Sequence, residues 1–86
     1  MTDWDRIMNR TVGDLLKEGT AFLKEAPVDT PYLDALLLLT EVLSVSKERL
    51  LGRLQDPVPE VQVGDFHSLL KDRAAGKPVS YILSLI

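Results

Sequence analysis

The stretch Thr30-Pro31-Tyr32-Leu33-Asp34-Ala35-Leu36-Leu37-Leu38-Leu39-Thr40-Glu41-Val42-Leu43 decides the fold. Proline suits the first position of a helix, where its missing N–H has no intrahelical partner to lose, and Thr30 before it is the predicted cap. Leu33, Ala35, Leu36, Leu37, Leu38, Leu39, Val42 and Leu43 then cover nearly the whole circumference of a helix of 3.6 residues per turn. Only Thr30, Asp34 and Glu41 mark a polar side. A helix this apolar must be surrounded by others, so it is predicted to be central. Asp34, four residues after Thr30, is expected on the one exposed strip near the positive helix start. A carboxylate on such an apolar helix can also mark a functional site, which makes the location of Asp34 worth checking.

Working outward, amphipathic helices are expected on both sides of this one. Upstream, Thr11 with Asp14 three residues later forms a capping-box-like pair. Val12, Leu15, Leu16, Phe22 and Leu23, with Gly19 and Ala26, then follow helical spacing to about Glu25, and Pro27 enforces a stop. Trp4, Ile7 and Met8 are placed on a short extra turn docked on that stripe. Downstream, Ser46 caps a short helix from Lys47 to about Leu54, with Leu50, Leu51 and Leu54 expected to point inward. A further helix runs from about Glu60 to Ala75 on the stripe Val63, Phe66, Leu69, Leu70 and Ala74. Gly64 weakens its beginning by about 1 kcal/mol relative to alanine, which moves the expected start toward Asp65. Gly76 suits the position after the last turn, and Pro78 prevents continuation. The apolar tail Val79 to Ile86 reads either as a last short helix or as the start of a continuing segment. Val58 to Val63 alternates like a strand but contains Pro59 and has no partner, so it is discounted. The expected fold is all-α, one domain over residues 1–86, a small orthogonal bundle of about four to five helices.

Composition bounds the function. A chain of 86 residues, 45% hydrophobic, folds as one domain with a thin core. A cofactor cavity of several hundred Å³ would consume most of that core. With no cysteine there is no disulfide, thiolate metal site or cysteine nucleophile, and a cytoplasmic setting is expected. The longest aliphatic run, Leu36 to Leu39, is far short of the roughly 20 residues of a membrane span, so no membrane role is expected. Thirteen acids stand against ten bases, and the bases are scattered rather than clustered, which argues against nucleic acid.

No catalytic constellation is visible. Gly13, Gly19, Gly52, Gly64 and Gly76 are too far apart for a phosphate-binding loop. His67 is the one histidine, and it is expected on the surface. Asp65 and Asp72 are off its i, i+4 face, so no metal set forms around it. Lys71, Arg73 and Lys77 make a small basic spot around Gly76, read as complementing the negative end of a helix or as touching a partner.

Three stretches together resemble one family. Thr30 to Leu39 resembles S-P-R-L-D-A-E-L-L-L, Ser46 to Leu51 resembles S-R-E-R-L-L, and Arg73 to Leu83 resembles R-x-x-G-E-P-V-A-Y-I-L-G. In order and spacing they are similar to the N-terminal domain of the release-factor glutamine methyltransferases, the HemK or PrmC family. The resemblance implies a helical bundle followed, in the family, by a hairpin linker and a Rossmann-like catalytic domain. That domain binds S-adenosylmethionine, carries an Asn-Pro-Pro-Tyr motif and methylates the glutamine of the Gly-Gly-Gln loop of class I release factors. Tyr32 stands where the family has arginine, Leu36 where it has glutamate, and Ser84 where glycine leads into the linker.

The resemblance makes this chain a recognition piece with no catalytic, metal or cofactor residues of its own, the catalytic domain lying outside these residues. Its expected partners are a class I peptide chain release factor and that catalytic domain. Arg49, Arg53, Arg73 and Lys77 are the candidate contact residues, as exposed bases near the matching motifs. The alternative is a free-standing helical adaptor or dimerisation module, supported by the apolar side chains Tyr81, Ile82, Leu83, Leu85 and Ile86 should they fail to pack on their own bundle.

Overall fold

A computed structural model of the chain describes residues 10–84. They form five helices: α1 (Val12–Lys24), α2 (Pro31–Leu43), α3 (Lys47–Leu51), α4 (Glu60–Ala74) and α5 (Val79–Ser84). Among the described residues there is no strand, and the fold is the expected all-α bundle. The turn expected around Trp4, Ile7 and Met8 lies outside the described residues.

The apolar stretch is the centre of the bundle, as its composition requires. Helix α2 keeps the predicted bounds and packs against each of the other four helices. Ala35, Leu38 and Leu39 lose all contact with solvent. Leu15 and Leu23 from α1, Leu50 from α3, Phe66 and Leu70 from α4 and Ile82 from α5 close around them. Each buried leucine of this kind contributes about 1.5–3 kcal/mol relative to an exposed one.

Three junctions hold the helices in register. At Gly19 the three longest helices meet. A Cβ there would sit 2.7 Å from Phe66 Cζ and 3.3 Å from Ala35 Cβ, so only glycine lets the ring in. Helix α4 runs antiparallel to α2: the Gln62 amide donates to the Val42 carbonyl at 3.4 Å near one end, and Arg73 reaches Asp34 near the other. The third junction joins the start of α1 to the loop after α3. Val12 N–H donates to Asp56 O, Gly13 N–H to Leu54 O and Val58 N–H to Arg10 O, at 2.7–2.9 Å. This makes an isolated bridge between Thr11 and Pro57, a short extended pairing just ahead of the discounted segment.

Caps follow local chemistry in most places. Both bonds of the box at Thr11 and Asp14 are present. Ser46 accepts from the Arg49 N–H at 3.2 Å. Gly76 takes a left-handed φ of 102° after α4, and Pro78 follows. Helix α2 ends on Ser44, also left-handed at φ 55°.

Several expectations need correction. Thr30 makes no capping bond; its hydroxyl donates to Asp34 Oδ1 at 3.0 Å instead. Asp34 is not on an exposed strip but is buried, 6% exposed, because α4 and its arginine cover it. Helix α3 stops at Leu51, and Leu51 and Leu54 are 43% and 38% exposed rather than inward. Five residues make too little helix to turn three leucines onto one face, and Leu50 alone takes the core position. Phe22 and Leu33, counted as core, are 43% and 44% exposed. Helix α4 begins at Glu60 and carries Gly64 within it, so the glycine does not delay its start. As far as Ser84 the tail is the short helix α5, which packs on its own bundle through Ile82, 1% exposed, while Tyr81 is 50% exposed; Leu85 and Ile86 lie outside the described residues.

Candidate functional site

Apart from Asp34, the described interior is filled by aliphatic and aromatic side chains. Among the described residues, no group of three or more His, Asp or Glu side chains is gathered where a metal ion could bind. No helix is long and apolar enough to cross a membrane.

The four candidate contact residues fall into two places. Arg49 and Arg53 are exposed on α3 and the turn after it, beside the exposed Leu51 and Leu54. This part of the chain follows the C-terminal end of α2. Arg73 and Lys77 lie at the opposite end, where α4 finishes against the first turn of α2. The structure therefore does not gather the four into one patch.

Their states differ as well. Lys77 is exposed, with its Nζ 3.6 Å from Asp72 Oδ1. Arg73 is turned inward. Its Nε donates to Asp34 Oδ2 at 2.8 Å and its Nη1 to the Lys77 carbonyl at 3.3 Å. With a side chain only 20% exposed, it works as an internal clasp between α4, α2 and the turn leading to α5. Both residues of the pair lie in the stretches that carry the family resemblance. They are 39 positions apart, so no local spacing rule could have joined them.

A second polar cluster was not visible in the sequence. Glu18 on α1 holds Arg10 with one carboxylate oxygen and lies 2.6 Å from His67 Nε2 with the other. Partial burial, with the cations Arg10 and Lys71 nearby, lowers the His67 pKa below its ordinary value. The imidazole Nε2 is the ring nitrogen that meets the Glu18 carboxylate. The Asp14 carboxyl is also held below its usual range, by the Thr11 backbone N–H and hydroxyl of the capping box.

An open groove of about 460 Å³ runs along the outer face of α1 between Leu54 at one end and Tyr32 at the other. Its floor is made by the small residues Gly13, Thr20 and Ala21, and Lys17 and Lys24 line it.

Comparison with known proteins places this architecture. Residues 14–83 match the family described as the PrmC N-terminal domain. The release factor glutamine methyltransferase of Aliivibrio fischeri is 34% identical over 76 residues, 88% of this chain and 27% of that protein. That of Chlorobaculum tepidum is 35% identical over 72 residues, 84% of this chain and 24% of that protein. The bifunctional methyltransferase of Rickettsia prowazekii is 28% identical over 78 residues, 91% of this chain and 15% of its own length. The chain thus spans about a quarter or less of these curated relatives. The match covers α2, the Asp34–Arg73 clasp and most of α5, and by it the chain belongs to the PrmC N-terminal domain family.

Proposed function

We propose that this chain is the protein-substrate recognition domain of a release factor glutamine methyltransferase and performs no chemistry by itself. The observation that carries the reading is the family match over residues 14–83. The packing supports it: a core closed around Leu38 and Leu39 leaves the outer surface as the place where a partner is met. S-adenosylmethionine and the methyl-transfer step belong, in this reading, to the Rossmann-like domain of the parent enzyme, working in the cytoplasm. The bundle contributes by positioning. A class I release factor docked on a rigid body is held near a tethered active site, which raises the effective concentration of its glutamine loop.

Of the four basic candidates, Arg49 and Arg53 are the contacts this reading favours, because they are exposed beside two exposed leucines. Lys77 is a weaker contact, already near Asp72. Arg73 acts indirectly by holding its end of α4 in place.

The test is calorimetric titration of the chain with a purified class I release factor, repeated with R49E/R53E. Both positions are exposed, so the double variant keeps the fold. Binding by the parent chain and a loss of about fivefold or more in the variant are expected, as for two exposed charge contacts. No heat of binding to the parent chain overturns the recognition role. Equal affinity for the two proteins overturns the assignment of Arg49 and Arg53.

A further inference from the structure

We infer that the groove on the outer face of α1 is a docking site for an acidic amphipathic helix of a partner protein. The inference stands apart from the role given to Arg49 and Arg53, since none of its charged residues is among them.

The shape is that of a helix seat. Gly13, Lys17, Thr20, Ala21 and Lys24 recur at intervals of three and four and so share one face of α1. From Gly13 to Lys24 is eleven residues, or about 16 Å at 1.5 Å per residue, the length of three turns of a facing helix. The floor is low because three of these side chains are glycine, alanine and threonine, and the Thr20 hydroxyl is turned back onto the Leu16 carbonyl at 2.7 Å. Two large apolar side chains stand at the ends, Tyr32 at 49% and Leu54 at 38% exposure. An apolar floor between exposed apolar ends suits the hydrophobic stripe of an incoming helix.

Charge selects the class of helix. The chain as a whole carries a net charge of −3, yet this groove is lined by two lysines against one carboxylate. Lys17 and Lys24 are exposed, and among the described residues neither forms a salt bridge. The one carboxylate in the groove, Asp14, accepts from the Thr11 N–H at 3.2 Å within the capping box and keeps its charge beside Lys17, so two lysines against one carboxylate leave the groove with a net positive charge. The two lysines are seven residues apart, about 10.5 Å along the axis, which is the separation of carboxylates two turns apart on a facing helix. The favoured occupant therefore carries leucine-like residues at i, i+3 and i+4 with Asp or Glu at i and i+7 on the flank.

The experiment uses two synthetic helical peptides, one with Glu pairs at i, i+7 beside a leucine stripe and one with Lys in place of Glu. Each is titrated into the isotopically labelled chain and followed by amide chemical shifts. The acidic peptide should move the amides of Gly13, Lys17, Thr20, Ala21 and Lys24 and leave Arg49 unmoved. Binding should weaken with added salt. K17E/K24E should lower affinity for the acidic peptide about fivefold to tenfold, as expected for two exposed charge contacts, and improve it for the basic one. A21W, at an exposed position, should block both peptides while leaving the fold's spectrum intact. Equal binding of the two peptides, shifts centred outside α1, or no saturable shift with the acidic peptide overturns the proposal. The result is independent of the release-factor titration, whose outcome is read with the Arg49 and Arg53 variant.

Discussion

Helix α4 meets its neighbours in two unlike ways. In its middle, Phe66 drives its ring into the space left by Gly19, a dry contact with 0% of the side chain exposed. At its end, Arg73 reaches a carboxylate on α2 through water-poor but not sealed surroundings. The first joint is steric. It sets how closely α1, α2 and α4 approach, and it draws its stability from buried area. The second is ionic. Desolvation offsets much of its Coulomb attraction, so its net contribution is smaller than its geometry suggests. What it supplies is register: only one end of α4 can satisfy Asp34. A small bundle whose leucines are chemically alike gains from one joint that leucine cannot imitate.

Breaking the steric joint should have the largest effect. Phe66→Ala is expected to lose about 3–5 kcal/mol, a large part of the roughly 4–13 kcal/mol available to a chain this size, measured by urea unfolding. A loss below about 1 kcal/mol would mean that the joint is not where the stability lies. Asp34→Asn should lose about 2–3 kcal/mol, less than a fully buried pair because Arg73 keeps part of its surface in water. The double replacement D34L/R73M sharpens the comparison. It is expected to recover most of that stability while slackening the end of α4, seen as faster amide exchange around Arg73 and Lys77. Recovery of both would show that the pair supplies no register.

A smaller effect is expected at the other side of the steric joint. Gly19→Ala brings a Cβ within 2.7 Å of the Phe66 ring, and overpacking of this kind costs about 1–3 kcal/mol, offset by about 1 kcal/mol of helix propensity. G19A should therefore lose up to about 2 kcal/mol, whereas the same change at Gly64, which faces open space, should stabilise the fold. The smallest effect concerns pH. His67 has its pKa lowered in the folded state, so the unfolded chain takes up the proton first as pH falls. Its contribution is intact above the ordinary value of 6.5 and is lost as pH drops through the folded value. Thermal melts of H67Q between pH 7.5 and 5 should show a shallower decline than the parent. An unchanged slope would assign the acid sensitivity elsewhere.

Much of this fold could be read from residue order, and the boundary of what could is physical. Helix α2 was legible because its apolar residues leave so little of its circumference to water. The capping box at Thr11 and the stop at Gly76 were legible because they depend on neighbours three or four residues away. Phe22 and Leu54 were misplaced because helical spacing reports a face, while exposure depends on whether another element covers it. Asp34 was misread for the same reason: its partner lies 39 positions away, and only tertiary packing brings them together. The α1 groove follows from what is small at Gly13, Thr20 and Ala21, a signal that a hydrophobic pattern does not weight.

The proposed recognition role requires an interior that stays closed and an outer surface that meets a release factor. Amide hydrogen exchange of the chain, with and without a class I release factor, tests it most directly. The expected result is new protection on the surface of residues 47–54, with the slow amides of Leu38, Leu39 and Phe66 unchanged. No protection anywhere, or binding that speeds exchange in the leucine core, would contradict it.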